Sequence, residues 1–369
     1  MSLLWNKIER YFKKNYIKYL EKWYSKPLLS PEDVDFNQVK RILIVRFRGQ
    51  LGDFLLCTPV LKALRKRFPK AKLGIIVRSY FADIVNNNPY LDQIIVFYEN
   101  GLQWTPKRLR RLWNQLYHRW DMAIVLSLEG HSLTSDFVAH LSGAKYILGS
   151  DRFIFPGCSR NFFYNLISPS SKDEMHQTER NMELVKTIGA ESDDLKELIY
   201  INEFERDGMY REFTKLYPDI HKPLIGLHIG ANKITNRWPI EKFCELAQSL
   251  YTKYNMQIIV FWGPKEEKLA KQFFDSITFK PIAVEPSTLH RLALYYTLCD
   301  AVVCNDTGTM HLCAAVGTPL VSIFGPTDPD YWKPIGNRFI AIRGENQNVE
   351  NVTVHQVCYE LLKLVKLFT

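Results

Sequence analysis

The feature that most constrains this chain is Arg41-Ile-Leu-Ile-Val-Arg-Phe47, followed by the glycine-bearing loop Arg48–Asp53 and then a helical pattern over Phe54–Phe68. The run is rich in β-branched residues, too short for a buried helix, and apolar at successive positions. That is how a strand buried on both faces of a parallel sheet reads. Lys72–Val77 supplies the next strand, so the segment predicts a β-α-β unit. The alternation continues through a strand at Gln93–Phe97, a helix at Pro106–Trp120 with Leu109, Leu112, Trp113, Leu116, Tyr117 and Trp120 turned inward, and a strand at Met122–Leu128. Strands alternating with helices in this way imply a doubly wound α/β sheet.

A polar, irregular stretch at Asp151–Met175, a helix at Glu179–Ile188 and a connecting segment at Asp193–Tyr217 separate this half from a second. The second half restarts with a strand at Leu224–His228. It then runs helix Ile240–Tyr254, strand Gln257–Trp262, helices Lys265–Ser276 and Leu289–Leu298, strand Ala301–Asn305, helix Met310–Val316 and strand Pro319–Phe324. A length of 369 residues, 46% of them hydrophobic and 24% charged, suits two globular domains. The expected division is an N-terminal helix and linker over 1–35, a first Rossmann-like domain over 36–205, a second over 206–345, and a C-terminal helix over 346–369 that is free to cross back to the first domain.

Seven cysteines, odd in number and without a C-x-x-C pair, point to free thiols in a reducing compartment. Their spacing, with no histidine cluster to complete it, fits no zinc site. No secretory h-region opens the chain and no apolar run reaches membrane-spanning length, which predicts a cytoplasmic or peripheral protein. Part of the net charge of +9 lies in Met1–Lys26, where seven cations stand against two acids and Trp5, Ile8, Phe12, Tyr16, Tyr19, Leu20 and Trp23 recur at helical spacing. Such a basic amphipathic helix suits an anionic membrane surface, and equally a terminal helix docked on protein. Nucleic acid is not expected, because no recognition motif accompanies the charge.

Ligands of open α/β sheets bind beyond the carboxyl ends of the strands. Three loops stand there. In Gly49-x-x-Gly52-Asp53 the glycines allow close approach by a ligand, but the loop is neither a dinucleotide fingerprint nor a P-loop. Asp53 can accept a hydroxyl proton or simply cap the following helix; Thr58-Pro59 resembles a second helix start that would free it from capping. In Asn305-Asp306-Thr307-Gly308-Thr309-Met310-His311, the backbone N–H groups of Thr307, Gly308, Thr309 and Met310 at a helix start suit a diphosphate. Asp306 suits sugar hydroxyls, and His311 is either a donor to the ligand or a satisfied surface histidine. In Gly230–Pro239, Lys233 and Arg237 can neutralise a leaving diphosphate or stand as solvated cations. Glu266 and Glu267, after Gly263-Pro264, can bind ribose hydroxyls or favour a helix N-terminus. Asp328-Pro329-Asp330 superficially matches a metal-binding D-x-D, but its proline-rich setting reads as a turn.

Taken in order, Ile42–Phe68 with Gly52-Asp53, Gly230–Pro239, Gly263-Pro264 with its glutamates, Asn305–His311 and Phe324–Pro329 resemble the ADP-heptose:lipopolysaccharide heptosyltransferases of glycosyltransferase family 9. The resemblance spans Arg41–Arg343. It implies a GT-B fold, two facing Rossmann-like domains with a cleft between them. It also implies inverting transfer without a metal or cofactor, a nucleotide-sugar co-substrate with an ADP-sugar favoured, donor binding in the second domain and acceptor binding in the first. By matching position Asp53 becomes the general base, Asp306 a donor-sugar contact, Thr307-Gly308 the diphosphate site and Glu266 or Glu267 a nucleoside contact, with Gly49 and Gly52 on the acceptor side. The chain departs from the family at Asn236, where many members carry lysine, so that Lys233 or Arg237 must supply the charge. The basic N-terminal helix is also outside the family pattern and would suit a lipid-linked acceptor at the inner face of the cytoplasmic membrane. Two rival readings are a nucleotide-sugar epimerase of the same build and a non-enzymatic sugar- or nucleic-acid-binding protein.

Overall fold

A computed structural model describes residues 16–46, 49–126, 130, 132–155, 157–169, 174–220 and 223–367. Two compact units share the chain. The first takes the residues through Gly49 together with Pro59–Ala82 and Asn88–Asp194; the second takes Gln50–Thr58, Asp83–Asn87 and everything from Leu195 onward.

The first unit carries β1 (Arg41–Val45), β2 (Lys72–Arg78), β3 (Gln93–Phe97), β4 (Met122–Val125), β5 (Tyr146–Ser150) and β6 (Leu166–Ser168), hydrogen-bonded in the order β3-β2-β1-β4-β5-β6. The second carries β7 (Leu224–His228), β8 (Gln257–Phe261), β9 (Ile282–Val284), β10 (Ala301–Asn305), β11 (Leu320–Phe324) and β12 (Phe339–Arg343), in the order β12-β11-β10-β7-β8-β9. Every pairing is parallel. Numbered from its own first strand, each sheet has the 3-2-1-4-5-6 order of a Rossmann fold. Its direction of winding therefore reverses between β1 and β4, and between β7 and β10, which opens a crevice at the strand ends there.

The central strands are apolar because helices cover both their faces. All five residues of β7 and of β10 are buried, with Ala301 beside Ile225 and Val303 beside Leu227. One face of this sheet packs with Phe243, Phe273 and Trp238, whose indole Nε1 donates to Val352 O at 2.9 Å. The closing helix Val354–Leu367 adds Val357, Leu361, Leu364 and Val365 to the same core. Its apolar face is thus used within the second unit.

Four sequence readings change. The helix foreseen over Phe54–Phe68 is two, Leu51–Leu55 and Thr58–Arg67. Thr58 helps define the break: its hydroxyl donates to Leu55 O at 2.7 Å and accepts from Leu198 N at 2.9 Å. The stretch Asp151–Met175 holds β6 and the buried Phe162, Phe163 and Tyr164. The connecting segment contains the helix Glu203–Leu216, closed by an Asn202/Glu205 capping box. Lastly, the helix foreseen over Pro106–Trp120 ends at Leu116, and of its supposed inward residues only Leu116 and Trp120 are buried.

Residues 16–24 are helical, with Leu20 buried and Tyr16, Tyr19 and Trp23 exposed. Most of the basic amphipathic segment, residues 1–15, lies outside the described residues. Among the described residues no helix is long and apolar enough to cross a membrane.

Candidate active site

The loops that leave β7 and β10 flank the reversal point of the second sheet and are fastened to each other by Asn305, the last residue of β10. Its amide is fully buried: Nδ2 donates to Ile229 O at 3.0 Å and to Gly230 O at 3.1 Å, while Oδ1 accepts from Trp238 N at 2.9 Å. Both ends of the Gly230–Pro239 loop therefore hang from one side chain. Within that loop Arg237 Nε donates to Ala231 O at 2.7 Å, and its Nη2 lies 3.4 Å from Glu266 Oε1.

Glu266 is buried, and its Oε2 accepts from Gly263 N at 2.7 Å. Glu267, one residue on, is exposed at the start of the helix Glu267–Ser276. Of the two glutamates the sequence left open, Glu266 is the one built into the strand-end cluster. Gly230 makes room for it, since a Cβ there would lie 1.6 Å from Glu266 Oε2.

Asp306 follows Asn305. Asn236 Nδ2 donates to its Oδ2 at 2.8 Å and to its backbone oxygen at 3.2 Å. Thr327, from the loop after β11, also hydrogen-bonds the carboxyl. Burial pushes the Asp306 pKa above the usual aspartate value, although Thr327 and the charges of His311 and Lys233 pull the other way. Lys233 itself is exposed. Asn236 is thus a buried donor that orients Asp306, and the two cations of the loop divide: Arg237 braces Glu266, and Lys233 faces solvent with its field on Asp306.

Thr307 is the N-cap of the helix Gly308–Ala315 and makes no side-chain capping bond. The first-turn N–H groups of this helix leave the carboxyl end of β10, as the sequence anticipated. His311 in that turn is no surface residue. It is 4% exposed, and its Nδ1 donates to Oε1 of the buried Glu197 at 2.8 Å. Its ring also fills the space over Gly52, where a Cβ would come within 2.6 Å of His311 Cδ2. Burial alone disfavours the imidazolium. The Glu197 carboxylate, helped by Asp306 and Asp53, outweighs it, and the His311 pKa lies above its ordinary value.

The segment bearing Asp53 packs on this same helix, with Leu51 against Gly308. Gln50 is the N-cap of Leu51–Leu55, and Asp53 stands at the third position of a capping box, accepting from Gln50 N through Oδ2 at 2.6 Å. Gly49 adopts φ 97°, a conformation glycine tolerates, and its carbonyl accepts from Arg78 Nη1 at 2.8 Å. Asp328, in the supposed D-x-D, caps Pro329–Trp332 by accepting from Asp330 N and pairs with Arg343 at 2.8 Å.

A sequence model described as Glycosyltransferase family 9 (heptosyltransferase) matches residues 109–361, well over half of the chain. The chain belongs to this family. It is 24% identical over 311 residues to lipooligosaccharide heptosyltransferase 2 of Haemophilus influenzae, covering 79% of this chain and 86% of the relative. Among solved structures it is similar to a family 9 glycosyltransferase from Veillonella parvula, with a TM-score of 0.78, 21% identity, and coverage of 89% of this chain and 97% of that one. It is also similar to the structure of E. coli ADP-heptose lps heptosyltransferase II, with a TM-score of 0.71, 22% identity, and coverage of 89% and 99%. The two Rossmann-type units are accordingly those of a GT-B fold.

As a family 9 glycosyltransferase the chain is an enzyme, and its strand-end residues can be sorted by what they touch. Glu266 meets Arg237, Asp306 meets Asn236 and His311 meets Glu197. Glu197, Thr327 and Asn305 were not foreseen as site residues. Asn305 and Thr327 lie inside quoted motifs and could have been flagged as buried polar neighbours. Glu197 carries no local signal, because its partner is 114 positions away.

Proposed function

We propose that this family 9 enzyme transfers a heptose or related sugar from a nucleoside diphosphate, with ADP-heptose favoured, to a lipopolysaccharide core or similar surface glycan, with inversion and with Asp53 as general base. The observation that carries the reading is the packing of the Gly52–Asp53 segment on the Gly308–Ala315 helix, the helix whose start suits a diphosphate. A carboxylate beside the bound donor can take the acceptor hydroxyl proton as that oxygen bonds to the anomeric carbon and the bond to the diphosphate breaks. The leaving charge is then met by the N–H groups of Thr307, Gly308 and Thr309 and by Lys233. Asp306 holds sugar hydroxyls, and Glu266, presented by Arg237 and Gly263, reads the nucleoside. No metal or cofactor enters this scheme. ADP-heptose is favoured because the E. coli heptosyltransferase II of the same fold is named for that donor.

The setting proposed is the cytoplasmic face of the inner membrane, where a soluble nucleotide sugar meets a lipid-linked acceptor. Asp53→Asn tests the mechanism. The amide keeps the capping geometry but accepts no proton, so donor affinity should persist while turnover falls by roughly two to four orders of magnitude. Near-normal turnover refutes the base. Incubation with donor alone separates transfer from epimerisation, since conversion of the sugar without an acceptor would favour the latter.

A further inference from the structure

The apolar stripe of the helix Pro106–Leu116 is only partly used by the core. Leu109 and Trp113 are 52% and 51% exposed, and Tyr117, just beyond the helix, is stacked on Trp113 at 4.1 Å and is 40% exposed. With Phe97, Leu112, Leu133 and Leu141, Leu109 and Trp113 line an open groove of about 620 Å³ within the first unit. The same helix carries Lys107, Arg108, Arg110 and Arg111, all exposed, and no acidic residue. Leu102, in the turn just before it, is 92% exposed. A contiguous apolar patch on a soluble unit marks an interaction surface. Aromatic residues edged by arginine and lysine have the composition of an element that lies in a bilayer interface.

We propose that this face is a docking surface for an anionic lipid bilayer. Leu109, Trp113 and Tyr117 enter the headgroup region, and Lys107, Arg110 and Arg111 pair with lipid phosphates. Charge complementarity decides against other occupants. A second copy docking through the same patch would set four cations against four. Residues 1–15, which hold Lys7, Arg10, Lys13 and Lys14 against Glu9, would likewise bring a basic segment onto a basic helix. An anionic surface satisfies both elements at once. The helix at 16–24 stands beside the groove, since Tyr24 packs edge-on against Phe137, another residue of its lining. This proposal goes beyond the reading of sugar transfer and does not depend on it.

The test is cosedimentation of the full-length chain with vesicles of phosphatidylcholine, with and without phosphatidylglycerol. The expected result is partitioning that prefers the anionic vesicles and weakens with salt. It should fall roughly tenfold or more in Leu109→Gln/Trp113→Gln, whose exposed sites leave circular dichroism and Tm unchanged. Lys107→Gln/Arg110→Gln/Arg111→Gln should abolish the preference for anionic over neutral vesicles. Unchanged binding in either variant overturns the proposal. So does binding lost only in Lys7→Gln/Arg10→Gln/Lys13→Gln/Lys14→Gln, or a wild-type dimer that becomes a monomer in the groove variant by light scattering.

Discussion

Glu197→Gln offers a sharp test of how the site is held together. The Glu197–His311 pair is almost wholly buried, with side-chain exposures of 1% and 5% and a 2.8 Å contact. Removing one partner of such a pair outright costs about 3 to 5 kcal/mol. The amide is gentler, because its oxygen still accepts from Nδ1. A charge-assisted bond worth about 1.5 to 3 kcal/mol becomes a neutral one worth about 0.5 to 1.5, so the loss is about 1 to 2 kcal/mol. The pH dependence makes the prediction specific. The folded-state pKa of His311 is raised, so the stability it contributes is fully present below the unfolded histidine value of about 6.5 and disappears as pH rises through the higher folded value. Urea denaturation should therefore show the variant falling short of wild type by the full amount near pH ~5.5, and by much less near pH ~9. With Glu197 neutralised, burial dominates, and the His311 ring should titrate at lower pH by NMR. A gap that stays constant across this range, or a His311 titration that does not move, refutes the assignment of the pair as ionic.

Three further changes probe the strand-end cluster. Gly230→Ala places a methyl group 1.6 Å from Glu266 Oε2 and should expel that carboxylate from Gly263 N. Nucleotide affinity by calorimetry should fall roughly tenfold or more, the value of one charge-assisted bond. Asn236→Ala withdraws a donor from the half-buried Asp306 carboxyl, which burial already makes easier to protonate than an exposed aspartate. The acid limb of donor binding should move to higher pH, with a stability loss of about 1 to 3 kcal/mol in urea denaturation. Trp238→Phe keeps the packing on Phe243 but removes one of two donors to the Val352 carbonyl, which Lys242 Nζ still reaches at 3.0 Å, and should lower unfolding stability by about 0.5 to 1 kcal/mol while leaving kcat unchanged.

The fold was legible where burial is two-sided. β1, β7 and β10 are apolar because helices cover both faces, and that leaves an unbroken hydrophobic run in the sequence. β6 and β9, three residues each at a sheet edge, are too short to show any period. The Pro106–Leu116 helix misled for the opposite reason. Its period is real, but period reports only that a face is apolar and never what covers it, so Leu109 and Trp113 were assigned to a core that they leave.

At the site, the motifs located the loops but not their division of labour. Asp53 read as either a cap or a base, and in the structure its Oδ2 accepts the capping bond from Gln50 N. In the proposed reaction that bond orients the carboxylate, so a capping role and a base role are compatible. The same holds at Asn236, which read as the loss of a cation. Its amide does what a cation there would do less selectively, donating to both the carboxyl and the backbone of Asp306. In the proposed reaction the positive charge at the leaving diphosphate is assigned to Lys233, because Arg237 lies against Glu266. Under this division, Lys233→Ala should depress turnover more than Arg237→Ala does, whereas Arg237→Ala should act chiefly on nucleotide affinity through a released Glu266. The reverse ranking in a KM-against-kcat comparison would return the leaving-group role to Arg237.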